Sequence, residues 1–329
     1  MASVSMDNPH ISIIAGGAGF IGTNLARALV AQGQRVVIID NLSNGKRAYL
    51  ESDPMLAALP LIVADLADRA ACEGAFAAAA ALGRIGDVWH MAANSDIPAG
   101  VANPDIDHKD TFLTTFEILR AMQTHGVKTL HFASSSAIYG DLGDVALHED
   151  IGPLFPISNY GAMKLASEAQ LSAAAESFLE RVNIFRFPNV VGVPATHGVI
   201  LDFVNKLRGG STSLDVLGDG TQQKAYLHIS DLVTAMLFIT ARNTDKVEPV
   251  NIGPVDRGVT VRWIAEAVVR RVRPDARIAY GSGNKGWVGD VPRFNYSTAR
   301  LQSYGWVPLM GSEAAVTRAI DEIAVQQGL

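Results

Sequence analysis

The sequence predicts an α/β protein: a doubly wound parallel sheet carrying a smaller, mixed α/β lobe. Three observations carry that expectation. Short β-rich runs recur at 10–15, 36–40, 61–64, 88–91, 129–133, 182–187 and 250–252, with helical stretches between them. Most of these runs are continuously apolar, as strands are when helices cover both faces of the sheet. The first run ends in Gly16-Gly17-Ala18-Gly19-Phe20-Ile21-Gly22 and passes into a helical pattern at 23–31, a strand, Gly-rich turn and helix in succession. Beyond residue 187 the rhythm breaks into Gly- and Pro-bearing loops with helices at 199–207, 229–241, 261–271 and 312–326. Residues 1–187 plus 226–253 are therefore assigned to the sheet domain, and 188–225 plus 254–329 to the lobe.

Composition narrows the function. The chain has 329 residues, 48% hydrophobic and 18% charged, which suits one large or two ordinary domains with a substantial core. Net charge is −6 and the basic residues are dispersed, apart from Arg270, Arg271, Arg273 and Arg277 at a helix end. No nucleic-acid partner is expected. The single cysteine, Cys72, excludes an internal disulfide and a cysteine-based metal site, and no metal is expected. No run of 18 apolar residues occurs and the first ten residues lack the marks of a signal peptide, so a cytoplasmic protein without a membrane partner is expected.

The glycines at 16, 19 and 22 suit a turn that needs permissive backbone angles, approaches a pyrophosphate closely and packs its helix against the strand. The helix N-terminus then faces the anion. The second run ends at Asp40, 18 residues after Gly22, where a carboxylate can bind both hydroxyls of an adenosine ribose and repel a 2′-phosphate. That favours NAD over NADP. The third run ends at Asp65-Leu66, where Asp65 either bonds the adenine amino group or serves a turn or helix cap.

With these features, His90-Met-Ala-Ala93, Ser134-Ser-Ser-Ala-Ile-Tyr-Gly140, Tyr160-Gly-Ala-Met-Lys164, Arg186-Phe-Pro-Asn189, Tyr226-Leu-His-Ile-Ser-Asp231 and Gly289-Asp290 follow in order. In these motifs the chain resembles the extended short-chain dehydrogenase/reductase family, and within it the nucleotide-sugar epimerase/dehydratase group typified by UDP-glucose 4-epimerase. The resemblance implies a Rossmann-type fold with NAD held by Gly16, Gly19, Phe20, Ile21, Gly22, Asp40, Asn41, Asp65, Leu66, Ala92, Ala93, Tyr160, Lys164 and Pro188. It implies catalysis by Ser136, Tyr160 and Lys164, with Ser134 and Ser135 as strand-end hydrogen-bonding groups. It also implies a nucleotide-diphosphate sugar bound by Ser136, Asn189, Lys224, Lys285, Trp287 and Asp290, and a two-fold homodimer through the helices expected at 112–122 and 160–178. His90, His228 and Asp231 are expected to be structural.

Tyr160 and Lys164 lie four apart on a helix and share a face. An ammonium about 4 Å from the phenol, at an effective dielectric near 20, is worth about 4 kcal/mol, or about three pKa units, and would bring the tyrosine toward about 7. In the group's 4-epimerases such a tyrosine takes the proton of the sugar 4-hydroxyl while hydride leaves C4. The keto sugar turns over, and both return to its other face. Two relatives of different outcome are a dehydrogenase or reductase with net hydride transfer and a non-catalytic NAD-binding regulator. The sequence departs from the group at three points: Thr111 replaces a common Asn, and Lys224 and Trp287 replace diphosphate-binding arginines. Ser136-Ala137-Ile138-Tyr139 also lacks the Asp-Glu pair of the sugar dehydratases, which disfavours dehydration.

Overall fold

The computed structural model describes residues 10–283 and 295–329. Seven strands, β1 (Ile11–Ala15), β2 (Arg35–Asp40), β3 (Leu61–Val63), β4 (Ile85–His90), β5 (Thr129–Ala133), β6 (Arg181–Arg186) and β7 (Val247–Asn251), form one sheet in the order β7-β6-β5-β4-β1-β2-β3. Every neighbouring pair runs parallel. The chain begins at β1 in the middle, winds outward through β2 and β3, then returns to β4 and winds the other way. That reversal opens a crevice at the carboxyl ends of β1 and β4, the place where open α/β sheets bind ligands.

The continuous apolar runs are explained by two covered faces. Ile13, Val37 and Ile39 pack with Phe76, Ile118, Met122 and Leu171 on one side. Ile14, Val36 and Ile38 pack with Leu25, Leu29, Leu232 and Met236 on the other. Each such side chain contributes about 1.5–3 kcal/mol on burial, so an unpartnered polar side chain in place of one of them would be costly.

The long helix Asn159–Ser177 is capped by Ser158, whose hydroxyl accepts from the Gly161 N–H at 3.1 Å. The helix expected over 112–122 differs from expectation. It is preceded by a π-helical turn, His108–Leu113, and runs as Thr114–Thr124. The π register shifts the side chains of this turn around the helix axis relative to an α-helix.

In the lobe, Phe203, Val204, Leu207, Leu214, Ile264, Val268, Val316 and Ile320 form a separate core. Its helices are Val199–Arg208, Val261–Val272 and Ser312–Gln326, and Ser213–Val216 pairs in parallel with Arg277–Tyr280. The two cores meet within one short strand, Tyr226–His228: Tyr226 packs into the lobe and Leu227 into the sheet layer.

Candidate active site

The Gly-rich turn is shaped by close backbone approach. Gly16 has φ +78°, and a Cβ there would lie 2.7 Å from the Ala92 nitrogen, so the β1 and β4 ends meet with nothing between them. A Cβ on Gly22 would lie 2.2 Å from the Gly16 carbonyl oxygen, which fixes the helix Phe20–Ala31 hard against the strand end. Gly19 differs, because a Cβ there would meet only the Gly16 oxygen at 3.4 Å; the space beside it is open. The helix that starts here has no side-chain cap and no acidic residue in its first turn. Its first N–H groups thus point at open space with a favourable field for an anion.

Asp40 ends β2 almost fully buried. Its Oδ2 accepts from the Ala18 N–H at 2.9 Å and its Oδ1 from the Leu42 N–H at 2.8 Å. Burial raises its pKa above the usual carboxylate value, against the pull of those two donors. Each oxygen keeps a lone pair for a ribose hydroxyl. Gly45 leaves room for this loop, since a Cβ there would lie 2.8 Å from the Ala18 carbonyl carbon. At Asp65 the turn role is present: Oδ1 accepts from Ala67 N–H at 3.0 Å, while Oδ2 takes Lys109 Nζ at 2.8 Å. Burial opposes it, yet the Lys109 ammonium holds this carboxyl below the usual range.

At the other end of the crevice, Tyr160 and Lys164 stand on one face of the helix Asn159–Ser177. Lys164 is buried, its Nζ donating to the Ala133 carbonyl at 2.6 Å and lying 4.7 Å above the Phe132 ring and 5.8 Å from the Tyr160 ring centroid. Burial pushes Lys164 down to about 7, opposed by the Glu168 and Asp107 carboxylates. Burial pushes the Tyr160 phenol up to about 12; the Ser135 hydroxyl, hydrogen-bonded to it, resists that shift and the Asp107 charge adds to it. The sequence expects Lys164 to draw Tyr160 toward 7; in the structure the phenol shifts upward, with burial the largest cause, and the Lys164 ammonium is turned toward a backbone carbonyl.

One turn further along the same face, Glu168 takes Arg186 in a two-pronged ion pair, Nη2 to Oε2 at 2.7 Å and Nε to Oε1 at 3.1 Å. Arg186 continues to the Tyr139 hydroxyl at 3.0 Å, which donates to Asn251 at 2.7 Å. The catalytic helix is thus tied to β6 and β7 through buried polar groups whose partners are all in place.

The profile of the NAD dependent epimerase/dehydratase family matches residues 12–253. A UDP-glucose 4-epimerase from Corynebacterium glutamicum is 30% identical over 269 residues, which cover 77% of this chain and 78% of that protein. The crystal structure of a UDP-galactose 4-epimerase, 34% identical, superposes with a TM-score of 0.81 over 96% of this chain and 99% of that one. The UDP-glucose 4-epimerase of Thermus thermophilus, solved with NAD, gives 0.82 at 28% identity, covering 95% of this chain and 98% of that one. This chain belongs to the NAD-dependent epimerase/dehydratase family.

In this epimerase/dehydratase family member, every cofactor residue expected from the sequence except Pro188 lies on the wall of one cleft. At the expected place of Pro188 the wall is Phe187. Asn94, Ser95, Thr196 and His197 line the same cleft and lie outside the sequence motifs. Asn94 and Ser95 follow directly on Ala92-Ala93 at the β4 end, a position that could have marked them; Thr196 and His197 come from a loop without a motif.

The sequence expects Ser136 beside Tyr160; the serine whose hydroxyl favours the ionised Tyr160 phenol is Ser135. Ser135 caps a short 3-10 turn, Ser136–Tyr139, its Oγ accepting from Ala137 N–H at 3.1 Å. Ser136 is buried one step inside that turn, its N–H bonded to the Phe187 carbonyl at 3.0 Å. The turn, which a run of three serines does not announce, decides which hydroxyl faces the tyrosine. Ser134 is tied to Glu168.

On the substrate side, Asn189 is exposed at the start of a strand pairing with Tyr226–His228, and Lys224 lies on a separate antiparallel pair with Val259–Thr260. Neither is on the cleft wall. Lys285, Trp287 and Asp290 lie outside the described residues. His90 is buried, bonded to Thr115 at 2.9 Å, and burial holds its pKa well below the ordinary value, so it stays neutral. Among the described residues no group of His, Cys, Asp or Glu could hold a metal ion, and no helix is long and apolar enough to cross a membrane.

Proposed function

We propose that this chain interconverts the C4 epimers of a UDP-linked sugar, using NAD held in the cleft of Gly16, Gly19, Gly22 and Asp40. The observation that carries this reading is the Ser135–Tyr160–Lys164 constellation at the far end of a cleft whose Gly-rich end is open to a pyrophosphate. Bound there, NAD supplies the acceptor and donor for the hydrogen on C4. Tyr160 Oη is the proton carrier for the 4-hydroxyl oxygen. The tyrosinate takes the proton of the 4-hydroxyl and the phenol returns it to the same oxygen in the reverse step; the Ser135 hydroxyl favours the tyrosinate form. Dehydration lacks its agents, because Ser136 and Ala137 follow Ser135 and neither titrates near neutrality.

The sugar lies between this cleft and the lobe, with Lys224 as a diphosphate cation, and the protein works as a homodimer through the helices Thr114–Thr124 and Asn159–Ser177. Phe116, 36% exposed on the first of these, supports that interface; Leu119, expected on it, points into its own core. Incubating the protein with UDP-glucose, UDP-galactose and their N-acetylated counterparts without added cofactor, and separating the products, tests the reading. Epimer pairs without a rise in absorbance at the reduced-nicotinamide band are expected. Stoichiometric accumulation or consumption of reduced cofactor would overturn it in favour of a dehydrogenase.

A further inference from the structure

Asp107 is fully buried behind the catalytic helix, 0% exposed. Its Oδ1 accepts from Asn94 Nδ2 at 2.8 Å, and its Oδ2 has no hydrogen-bond partner. Oδ2 presses on Gly100 so closely that a Cβ there would lie 1.8 Å away. Gly100 in turn is held from the other side: its carbonyl accepts from the side chain of Asn159 at 2.9 Å, the residue immediately before Tyr160. Asn94 lines the cleft, and its backbone N–H bonds Thr111 Oγ1 at 3.3 Å. Asp107 therefore sits behind both the cleft wall and the start of the catalytic helix, in a space kept open by a glycine.

We propose that Asp107 is a positioning residue for the catalytic pair, a buried negative charge whose field sets the pH at which Tyr160 releases its proton in the presence of Lys164. This rests on the epimerase reading above. The titratable groups around Asp107 come from three segments: Asp96 before the helix Ile97–Ala102, Asp110 in the π turn, and Tyr160 and Lys164 on the long helix; neutral Asn94 comes from the β4 end. Asp96 and Asp110 share its sign, so Lys164 is the cation it faces. Its charge disfavours tyrosinate at 160 and favours ammonium at 164. Burial raises its own pKa, and the Asn94 hydrogen bond and Lys164 oppose that rise.

The test is the pH profile of kcat for the NAD-loaded protein and for Asp107→Asn, which keeps shape and the Asn94 contact but removes the charge. With the charge gone, Tyr160 ionises more easily, so the acid limb of the profile moves to lower pH, by about half a unit or more. Asp107→Ser is the second variant, smaller than the native side chain and equally uncharged; it is expected to shift the limb in the same direction. A folded Asp107→Asn or Asp107→Ser whose limb stays in place, whatever its melting temperature, overturns the proposal, and so does failure of both variants to fold. If the parent interconverts no sugar at all, the epimerase reading fails separately. The same variants are then compared by titrating the tyrosinate absorbance at 160 against a Tyr160→Phe blank, where an unmoved titration overturns the role of Asp107.

Discussion

At the sheet end of the cleft the decisive contacts all involve backbone: Gly16 against Ala92, Gly22 against Gly16, and the Asp40 carboxylate against the N–H groups of Ala18 and Leu42. The lobe is organised differently. Its chain is also pinned by a glycine, Gly258, where a Cβ would lie 1.9 Å from the Lys224 carbonyl oxygen, but the group proposed there for the ligand is a long side chain. A backbone-built site admits one ligand shape and one sequence pattern. A site built from side-chain tips can exchange Lys for Arg, or move a cation by several residues, without disturbing the fold beneath it. Cofactor binding should therefore be brittle to small changes, and sugar binding graded.

The sharpest way to break this contrast is at the catalytic helix. Tyr160→Phe is expected to lower kcat by about two orders of magnitude or more while NAD stays bound, since it removes the proton carrier and leaves the cleft walls intact. Near-normal turnover would end the assignment of Tyr160. The two serines come next: Ser135→Ala should cost about one to two orders of magnitude in kcat, and Ser136→Ala about twofold or less. Reversed effects would restore Ser136 as the group that faces the substrate. In the lobe, Lys224→Ala should weaken nucleotide-sugar binding by about 1–3 kcal/mol, as for one lost hydrogen bond to a charged group, with NAD retention unchanged. Calorimetry showing undiminished sugar-nucleotide affinity would remove Lys224 from the site.

The smallest effect concerns stability. The folded pKa of Lys164, about 7, lies below its ordinary 10.5, so between these values the unfolded chain binds more protons and the folded protein gains stability as pH rises. From pH 7 to 10, below the range where the raised Tyr160 pKa acts in the opposite sense, the melting temperature of the parent is expected to climb, and Lys164→Met to flatten that climb by a few degrees. A variant with the same slope as the parent would show that Lys164 keeps its ordinary pKa in the fold.

The difference between the two regions also explains what is legible without the fold. The central sheet strands are legible because both faces are buried, which leaves runs such as Val36-Val37-Ile38-Ile39 with no polar interruption. The glycines and Asp40 are legible because their roles are set by backbone geometry. Ser135 is not, because three consecutive serines differ only in the turn that begins at Ser136, and that turn is fixed by the Phe187 carbonyl, far along the chain. The shifted pKa of Tyr160 escapes the sequence because spacing on a helix reports proximity and not burial. Asp107 leaves no sign at all, since its meaning depends on Gly100, Asn94 and Asn159 arriving around it from separate segments.

The path of the chain through Tyr226–His228 bears on how such a protein could be rebuilt. The lobe core draws on residues from Val191 to Val216 and again from Val259 to Ile323, with Tyr226 inserted from a strand whose Leu227 packs in the sheet layer. No single contiguous fragment carries the lobe core. Transplanting the specificity of a relative would require exchanging both stretches together, along with the side chain at 226 that locks them, while the β7 segment between them stays native. A chimera that swaps only the C-terminal stretch pairs half of one hydrophobic core with half of another, and should be lost to aggregation before its substrate preference can be assayed.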